Sequence, residues 1–384
     1  MIVLDVQQVV KHYGPEPVLD GVTFQVHPGE RIALVGPNGC GKSTLLQIIA
    51  GKEEADAGTA TLHPAIHAGS FEQQVHLAGV KCVYEEAKSA LAGLLTLQQE
   101  AQSVAEALAE ADTDDMPRLA ARYDHLQQEL DRRDAYNLDH KIKRILNGLG
   151  FAEAAFQQSV ESLSGGEQNR LMLAKLLLAE PNLMLLDEPS NHLDIEATQW
   201  LENFLLESSA AVIVVSHDRS LLDRVATRTL ELVHGTVDSY AGNFSAYWRQ
   251  KQERLLVERR TYEKQQIEIA KTEDFIRRNA YGQKHTQAED RRKKLERIES
   301  VPLPREIAAP PMAFPAAARS GDLVIRAERL GKSFDRPLFR NVTFDIARGE
   351  RWGLLGPNGC GKTTLLKCLV GLLEIDEGHA SLGH

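Results

Sequence analysis

Arg31-Ile32-Ala33-Leu34-Val35-Gly36-Pro37-Asn38-Gly39-Cys40-Gly41-Lys42-Ser43-Thr44-Leu45-Leu46 is the stretch that decides the fold. An apolar run of strand length, Arg31–Val35, leads into Gly-x-x-x-x-Gly-Lys-Ser and then into an apolar helix over about Thr44–Ala50. Glycines let the backbone wrap an anion with its N–H groups turned inward. A helix N-terminus adds partial positive charge at the same point. Strand, loop and helix in this order form a phosphate-binding loop. Lys42 is expected to neutralise the β- and γ-phosphates of a nucleotide, and Ser43 to hold Mg²⁺. Gly36, Pro37, Asn38, Gly39, Cys40, Gly41 and Thr44 supply the rest of the cradle.

The stretch occurs twice. Val22-Thr23-Phe24, Pro28-Gly29-Glu30-Arg31 and the loop return as Val342-Thr343-Phe344, Arg348-Gly349-Glu350-Arg351 and Gly356-Pro357-Asn358-Gly359-Cys360-Gly361-Lys362-Thr363-Thr364. The offset is 320 residues throughout (356 − 36), which marks a duplication. The second loop is expected to take nucleotide in the same way, with Thr363 on Mg²⁺. At this offset His384 corresponds to Pro64, so the remainder of the first copy has no counterpart. A sheet cut there leaves an edge and an apolar face uncovered, and the chain therefore reads as a fragment.

Leu183-Met184-Leu185-Leu186-Asp187-Glu188 is an apolar run ending in two carboxylates. Such a run reads as a central parallel strand buried on both faces. Asp187, at its C-terminal end, is placed to reach the Mg²⁺ shell. Glu188, one residue on, is placed to polarise an attacking water.

The bulk numbers bound the rest. A length of 384 residues suits two or three domains, and a net charge of −10 argues against a protein that is basic overall. No apolar run approaches the roughly 20 residues that span a bilayer. Met1-Ile2-Val3-Leu4-Asp5 carries no signal segment, which points to the cytoplasm. Cys40, Cys82, Cys360 and Cys368 show no CxxC spacing, so a zinc site or redox pair is not expected.

Residues 1–242 form the first copy, with a helical stretch at about 83–148 that suits an inserted arm or a helical subdomain and breaks near Asp112–Pro117. Residues 243–300 form a charged helical linker. Within it, Arg249–Glu299 carries 15 Lys/Arg against 10 Asp/Glu, a local excess of positive charge in an acidic chain. Asn243–Arg278 reads as one helix of roughly 50 Å. A turn at Asn279-Ala280-Tyr281-Gly282 and a second helix over about Thr286–Glu299 follow. Residues 301–321 are a Pro/Ala-rich tether, and 322–384 open the second copy.

Several further motifs carry a family resemblance. Leu163-Ser164-Gly165-Gly166-Glu167-Gln168 resembles the signature of ATP-binding cassettes. Pro189-Ser190-Asn191-His192-Leu193-Asp194 resembles their dimer-contact loop, and Val215-Ser216-His217-Asp218-Arg219 their histidine switch. Phe71-Glu72-Gln73 resembles the glutamine loop, and Tyr13 the aromatic that stacks on adenine, a place that Phe334 takes in the second copy. With tandem cassettes and a long charged linker, the chain resembles the ABC-F family.

The resemblance implies an α/β P-loop NTPase of the ATP-binding-cassette type, with a helical arm or subdomain and a helical linker to a partial second cassette. It implies ATP hydrolysis with Glu188, His217 and Gln73 as catalytic residues, and Mg²⁺ held by Ser43, Gln73, Asp187 and Thr363. Cassettes of this kind close head-to-tail, so Ser164, Gly165 and Gly166 would face ATP held by Gly356–Thr363. The family further implies a ribosome and tRNA partner reached through the linker. Neither composite site is complete within these residues, so the chain alone is expected to bind ATP and hydrolyse it poorly, unless two copies pair their first cassettes as a homodimer. A nucleotide-binding subunit of a membrane transporter is the alternative, and the tandem cassettes and linker weigh against it. A DNA-repair or chromosome-organising ATPase is disfavoured by the missing CxxC pairs and the unbroken first cassette.

Overall fold

The computed structural model describes residues 1–71, 81–110, 115–132, 137–278, 285–295, 321–334 and 337–383. It divides into two compact units, Met1–Ser239 with Ala317–His384, and Tyr240–Ala316.

The first unit opens with β1 (Leu4–His12), β2 (Pro17–Val26), β3 (Arg31–Val35), α1 (Lys42–Ile49) and β4 (Ala57–Leu62). Strands β2, β1 and β4 form an antiparallel sheet in that order. Leu4, Val6 and Val9 of β1 are buried, and the step of three between the last two breaks the period of two. Gln8 supplies the extra residue as a bulge, with φ 48 and a shift in register to both neighbours. Gly58 of β4 passes so close that a β-carbon there would lie 2.1 Å from the Gln8 carbonyl oxygen.

β5 (Ala68–Phe71) precedes a helical region of α2 (Val83–Lys88), α3 (Ala92–Glu110), α4 (Met116–Arg132) and α5 (Leu138–Gly148). α3 and α4 pack on each other over a small core of Ala101, Leu126 and Leu130. The break expected near Asp112–Pro117 falls between them, and Pro117 sits in the first turn of α4, where a missing N–H costs nothing. Glu86 of α2 pairs with Lys175, and Tyr84 donates to Asp139 of α5.

The chain continues through α6 (Gly165–Ala179), β6 (Leu183–Asp187), α7 (Ile195–Glu207), β7 (Ala211–Val215), α8 (Arg219–Val225), β8 (Arg228–Val233) and β9 (Thr236–Ala241). The second sheet has the order β5-β6-β7-β3-β8-β9, and every pair from β5 to β8 is parallel. Ile32, Leu34, Leu183, Leu185, Ile213 and Val215 share one core with α1 and the antiparallel sheet. The alternate residues Ala33, Met184, Leu186, Val212 and Val214 are equally buried. Both faces are covered, which explains the unbroken apolar runs. Switching from β3 to its neighbours on either side opens a crevice at the C-terminal strand ends, where ligands of open α/β sheets bind.

In the second copy, β10 (Leu323–Ser333), β11 (Pro337–Ala347), α11 (Lys362–Leu369) and β12 (Glu377–Leu382) repeat the antiparallel sheet, in the order β11-β10-β12. Arg329 takes the bulge, with φ 48, as Gln8 does in the first copy. Arg351–Leu355 aligns with β3 but has no regular structure. Ile32 and Leu34 are fully buried, whereas Trp352 and Leu354 are 57% and 44% exposed. A parallel strand needs hydrogen-bonding neighbours, and the segment has no counterpart of β7 or β8 beside it among the described residues.

The other unit contains α9 (Phe244–Arg278), of 35 residues, and α10 (His285–Leu295). α9 buries only Tyr247. Helix-spaced pairs such as Arg254–Glu258 at 2.9 Å and Arg259–Glu263 at 3.4 Å support a helix with so little tertiary burial. The Arg291 guanidinium lies 3.9 Å from the centre of the Phe275 ring, joining α10 to α9. The expected turn at 279–282 and the last residues of the expected second helix, 296–299, lie outside the described residues.

Candidate nucleotide site

α1 begins where β3 ends. Its N-cap, Gly41, has φ 100, offers no side chain, and is followed by no acidic residue in the first turn. α6, α7 and α8 differ, each being capped by a side chain: Ser164, Asp194 and Asp218. The leading N–H groups of α1 are therefore left for a ligand, and their partial positive charge suits an anion. Lys42 Nζ donates to the carbonyls of Gly36 at 3.0 Å and Pro37 at 2.8 Å, so the ammonium lies across the loop. A β-carbon on Gly36 would sit 2.2 Å from the Leu232 carbonyl oxygen, which leaves no room for any other residue there. The second loop has the same shape. Lys362 Nζ donates to Gly356 and Pro357 at 2.7 Å each, and Gly361 caps α11 at φ 98 with no side-chain bond.

Asp187 ends β6 and is half-buried. Glu188 follows in a left-handed conformation, φ 52, fixed by its N–H donating to Val215 at 2.8 Å. Its side chain is 8% exposed. Glu188 Oε2 accepts from the His217 N–H at 3.2 Å. Oε1 lies 3.5 Å from His217 Nε2 and has no hydrogen-bond partner among the described residues. Burial pushes the Glu188 carboxyl above the usual range, against the pull of the His217 N–H and ring, with Asp187 adding to the rise and Lys42 opposing it. A buried carboxylate with one oxygen free and a raised affinity for protons is suited to take a proton from water.

The donor set also bears on Mg²⁺. Ser43 offers a hydroxyl and Asp187 a carboxylate, and no cluster of three or more His, Cys, Asp or Glu occurs among the described residues. That fits an ion carried mainly by phosphate oxygens and water rather than one caged by protein. Gln73 lies outside the described residues.

Ser164 starts α6 in a capping box. Its Oγ accepts from the Glu167 N–H at 3.4 Å, and the Glu167 carboxylate takes the Ser164 N–H at 2.9 Å and hydroxyl at 2.7 Å. The β-position of Gly166 is 3.4 Å from His192 of the contact loop. Asp194 caps α7 through Ala197 at 3.0 Å, and its other oxygen accepts from the Asn358 N–H of the second phosphate loop at 3.2 Å. Asn358 Nδ2 donates to the His192 carbonyl at 2.8 Å. Partial burial would raise the Asp194 carboxyl, but the N–H groups of Ala197 and Asn358, with Arg170 and Lys362, hold it below the usual range. The second loop thus rests on the contact loop, whose His192 lies against Gly166.

Tyr13 is 63% exposed and Phe334 60%. The Tyr13 hydroxyl donates to both oxygens of Glu53, at 2.5 and 2.7 Å. Sequence reading missed Glu53, Lys11 and the hold of Arg170 on the Leu149 carbonyl at 3.2 Å. The capping box could have been read from the Ser164-x-x-Glu167 pattern; the Tyr13–Glu53 bond, across 40 residues, leaves no local signal.

Two glycine-framed phosphate loops, a buried carboxylate at a strand end and a signature helix define a P-loop NTPase of the ATP-binding-cassette type. The family described as ABC transporter matches residues 19–191 and 339–384, and a companion family of the same description matches 230–314. The ATP-binding protein YdiF of Bacillus subtilis is 40% identical over this whole chain and 60% of its own length. ABC transporter F family member 5 of Arabidopsis thaliana is 36% identical over 98% of this chain and 56% of its own. The energy-dependent translational throttle protein EttA of Mycobacterium tuberculosis is 37% identical over 98% of this chain and 67% of its own. The chain belongs to the ABC transporter ATPase family, within its ABC-F group. It spans 56–67% of the length of these curated relatives. Among the described residues no helix is long and apolar enough to cross a membrane.

Proposed function

We propose that this chain binds ATP at both phosphate loops, hydrolyses it with Glu188 as base, and serves an ABC-F ATPase that works on the ribosome in the cytoplasm. The observation that carries the reading is the seat of Asn358 on His192 and Asp194, beside Ser164–Gly166. It supports a nucleotide on Lys362 shared between the second loop and the first signature.

Lys42 and the free N–H groups of α1 hold the triphosphate. Mg²⁺, held by Ser43 and Asp187 (and by Thr363 at the second loop), would offset the charge that builds on the phosphate oxygens. The His217 N–H fixes Glu188 Oε2, which leaves Oε1 to take the proton of the attacking water. The His217 ring, 3.5 Å from Oε1, and Gln73 complete the set. Ser164 can turn its hydroxyl from Glu167 to a phosphate oxygen while still accepting the Glu167 N–H.

These 384 residues hold one Asp-Glu pair of this kind for two loops. A polypeptide of this sequence is expected to turn ATP over slowly, with specific activity rising with protein concentration as first cassettes pair. High turnover independent of concentration refutes that. The ribosome reading draws support from the translational throttle relatives. Its test is co-sedimentation of Glu188→Gln protein in ATP. Recovery with ribosomes is expected; recovery with membranes or DNA instead refutes it.

A further inference from the structure

The two copies frame their exposed aromatics differently. In both, a lysine lies over the ring, Lys11 Nζ 5.6 Å from the Tyr13 centroid and Lys332 Nζ 5.5 Å from that of Phe334. In both, an aspartate takes the backbone N–H of the residue before the aromatic, Asp56 from His12 at 2.7 Å and Asp376 from Ser333 at 2.8 Å. The copies part at the ring's far end. Tyr13 donates its hydroxyl to Glu53, and Lys11 pairs with the same carboxylate at 3.2 Å while donating to the Glu54 carbonyl at 2.8 Å. At the offset of 320, Leu373 stands where Glu53 does, and Phe334 has no hydroxyl. Among the described residues Lys332 pairs with Asp376, at 2.5 Å, and with no second carboxylate.

A ring that is 63% exposed is free to rotate unless its polar end is tied. Tyr13 is tied at its hydroxyl end by a charge-assisted bond to Glu53 and a second bond with the Thr44 side chain, is backed by a cation held in turn by Glu53, and keeps most of its surface open. Phe334 has the cation and the aspartate but no tie.

We propose that Glu53 is a positioning residue for the first nucleotide site: it fixes the Tyr13 ring as a preset platform for the base, and the second site lacks this device. The proposal rests on the reading of Tyr13 as the base-stacking residue. The two sites of one chain then differ in how they hold the base while gripping the triphosphate alike. A preset platform loses less freedom when the base arrives, so nucleotide leaves the first site more slowly.

Binding of ATP and of inorganic tripolyphosphate, measured by calorimetry in a Lys362→Ala background so that the first loop reports, tests this. Tyr13→Ala is expected to weaken ATP about 10-fold, within the range of base–aromatic stacking, and to leave tripolyphosphate unchanged. Glu53→Leu, which copies the second site, is expected to weaken ATP about 3- to 10-fold with tripolyphosphate unchanged. Tyr13→Phe, which also removes the hydroxyl's bond with Thr44, should weaken ATP at least as much, and adding Glu53→Leu to it should add nothing further. Glu53→Gln, which keeps an acceptor for the hydroxyl, should recover most of the affinity. Glu53→Leu without effect, while Tyr13→Ala weakens ATP, overturns the role of Glu53 and leaves the platform standing. Equal losses for ATP and tripolyphosphate in Glu53→Leu overturn it too, since the residue then acts on the whole loop. No effect of Tyr13→Ala removes the platform itself.

Discussion

Glu188→Gln separates chemistry from stability in one substitution. Burial raises the Glu188 carboxyl above its ordinary value of 4.5, so the folded protein disfavours the ionised form. The sign follows: an acid whose folded value is raised opposes folding at pH above that value, and the penalty fades as the pH falls toward 4.5. Each unit of rise is about 1.4 kcal/mol. Glutamine removes the charge and can keep its place. Its carbonyl oxygen can accept the His217 N–H now 3.2 Å from Oε2, and its amide can face His217 Nε2, now 3.5 Å from Oε1. The variant is therefore expected to melt higher at pH 7.5, by about 2–4 °C per kcal/mol in a domain of this size, and to lose that advantage below pH about 4.5. Single-turnover hydrolysis should fall about 100- to 10,000-fold, the range for a lost general base. Thermal melts across pH and single-turnover assays are the measurements, with two copies at high concentration to complete the sites. Unchanged hydrolysis refutes Glu188 as the base. A lower melting temperature at pH 7.5 refutes the argument that its burial is costly.

Lys42→Ala should weaken ATP about 100-fold or more by titration, while the melting temperature without nucleotide falls by no more than about 4 °C, because the Gly36 and Pro37 carbonyls it leaves can turn to water. Gly36→Ala should destabilise by about 2 kcal/mol or more and abolish ATP binding, since its methyl group meets the Leu232 carbonyl; Gly39→Ala, at φ 78 with open space around it, should cost about 1 kcal/mol in the same denaturation series. Asp194→Ala should cost about 1 kcal/mol for the lost cap of α7. The folded Asp194 carboxyl lies below its ordinary value of 3.8, so its contribution is present above that pH and the deficit of the variant should shrink as pH drops beneath it.

The phosphate loops, the Asp187-Glu188 strand and the long helix of the linker were legible because each is a local pattern: a glycine spacing, an apolar run, a stretch free of breakers. The structure starts the loop helix at Lys42 rather than Thr44, and divides the 83–148 stretch at more places than the one break, near Asp112–Pro117, that the sequence marks. What stayed hidden is what depends on distant partners. Arg31–Val35 and Arg351–Leu355 hold the same place in the repeat, each an arginine followed by an apolar run, yet one is a central strand and the other is irregular, because Val212 and Arg228 flank only the first. Glu53 reads as one more surface acid until Tyr13 is seen against it. Asp194 reads as a helix cap, which it is, and gives no sign that its second oxygen holds Asn358.

The irregular segment Arg351–Leu355 bears on the order of assembly. The loop that follows it is fully shaped, with Lys362 bent back onto Gly356 and Pro357 as Lys42 is onto Gly36 and Pro37. Its support is the antiparallel sheet and α11, joined through Ala327, Leu330, Leu365 and Leu369. The phosphate cradle is thus independent of the parallel sheet that frames it in the first copy. During synthesis, where residues emerge in chain order, the cradle of the first copy, with its antiparallel sheet complete at Leu62, emerges before β7 and β8, the strands that flank β3.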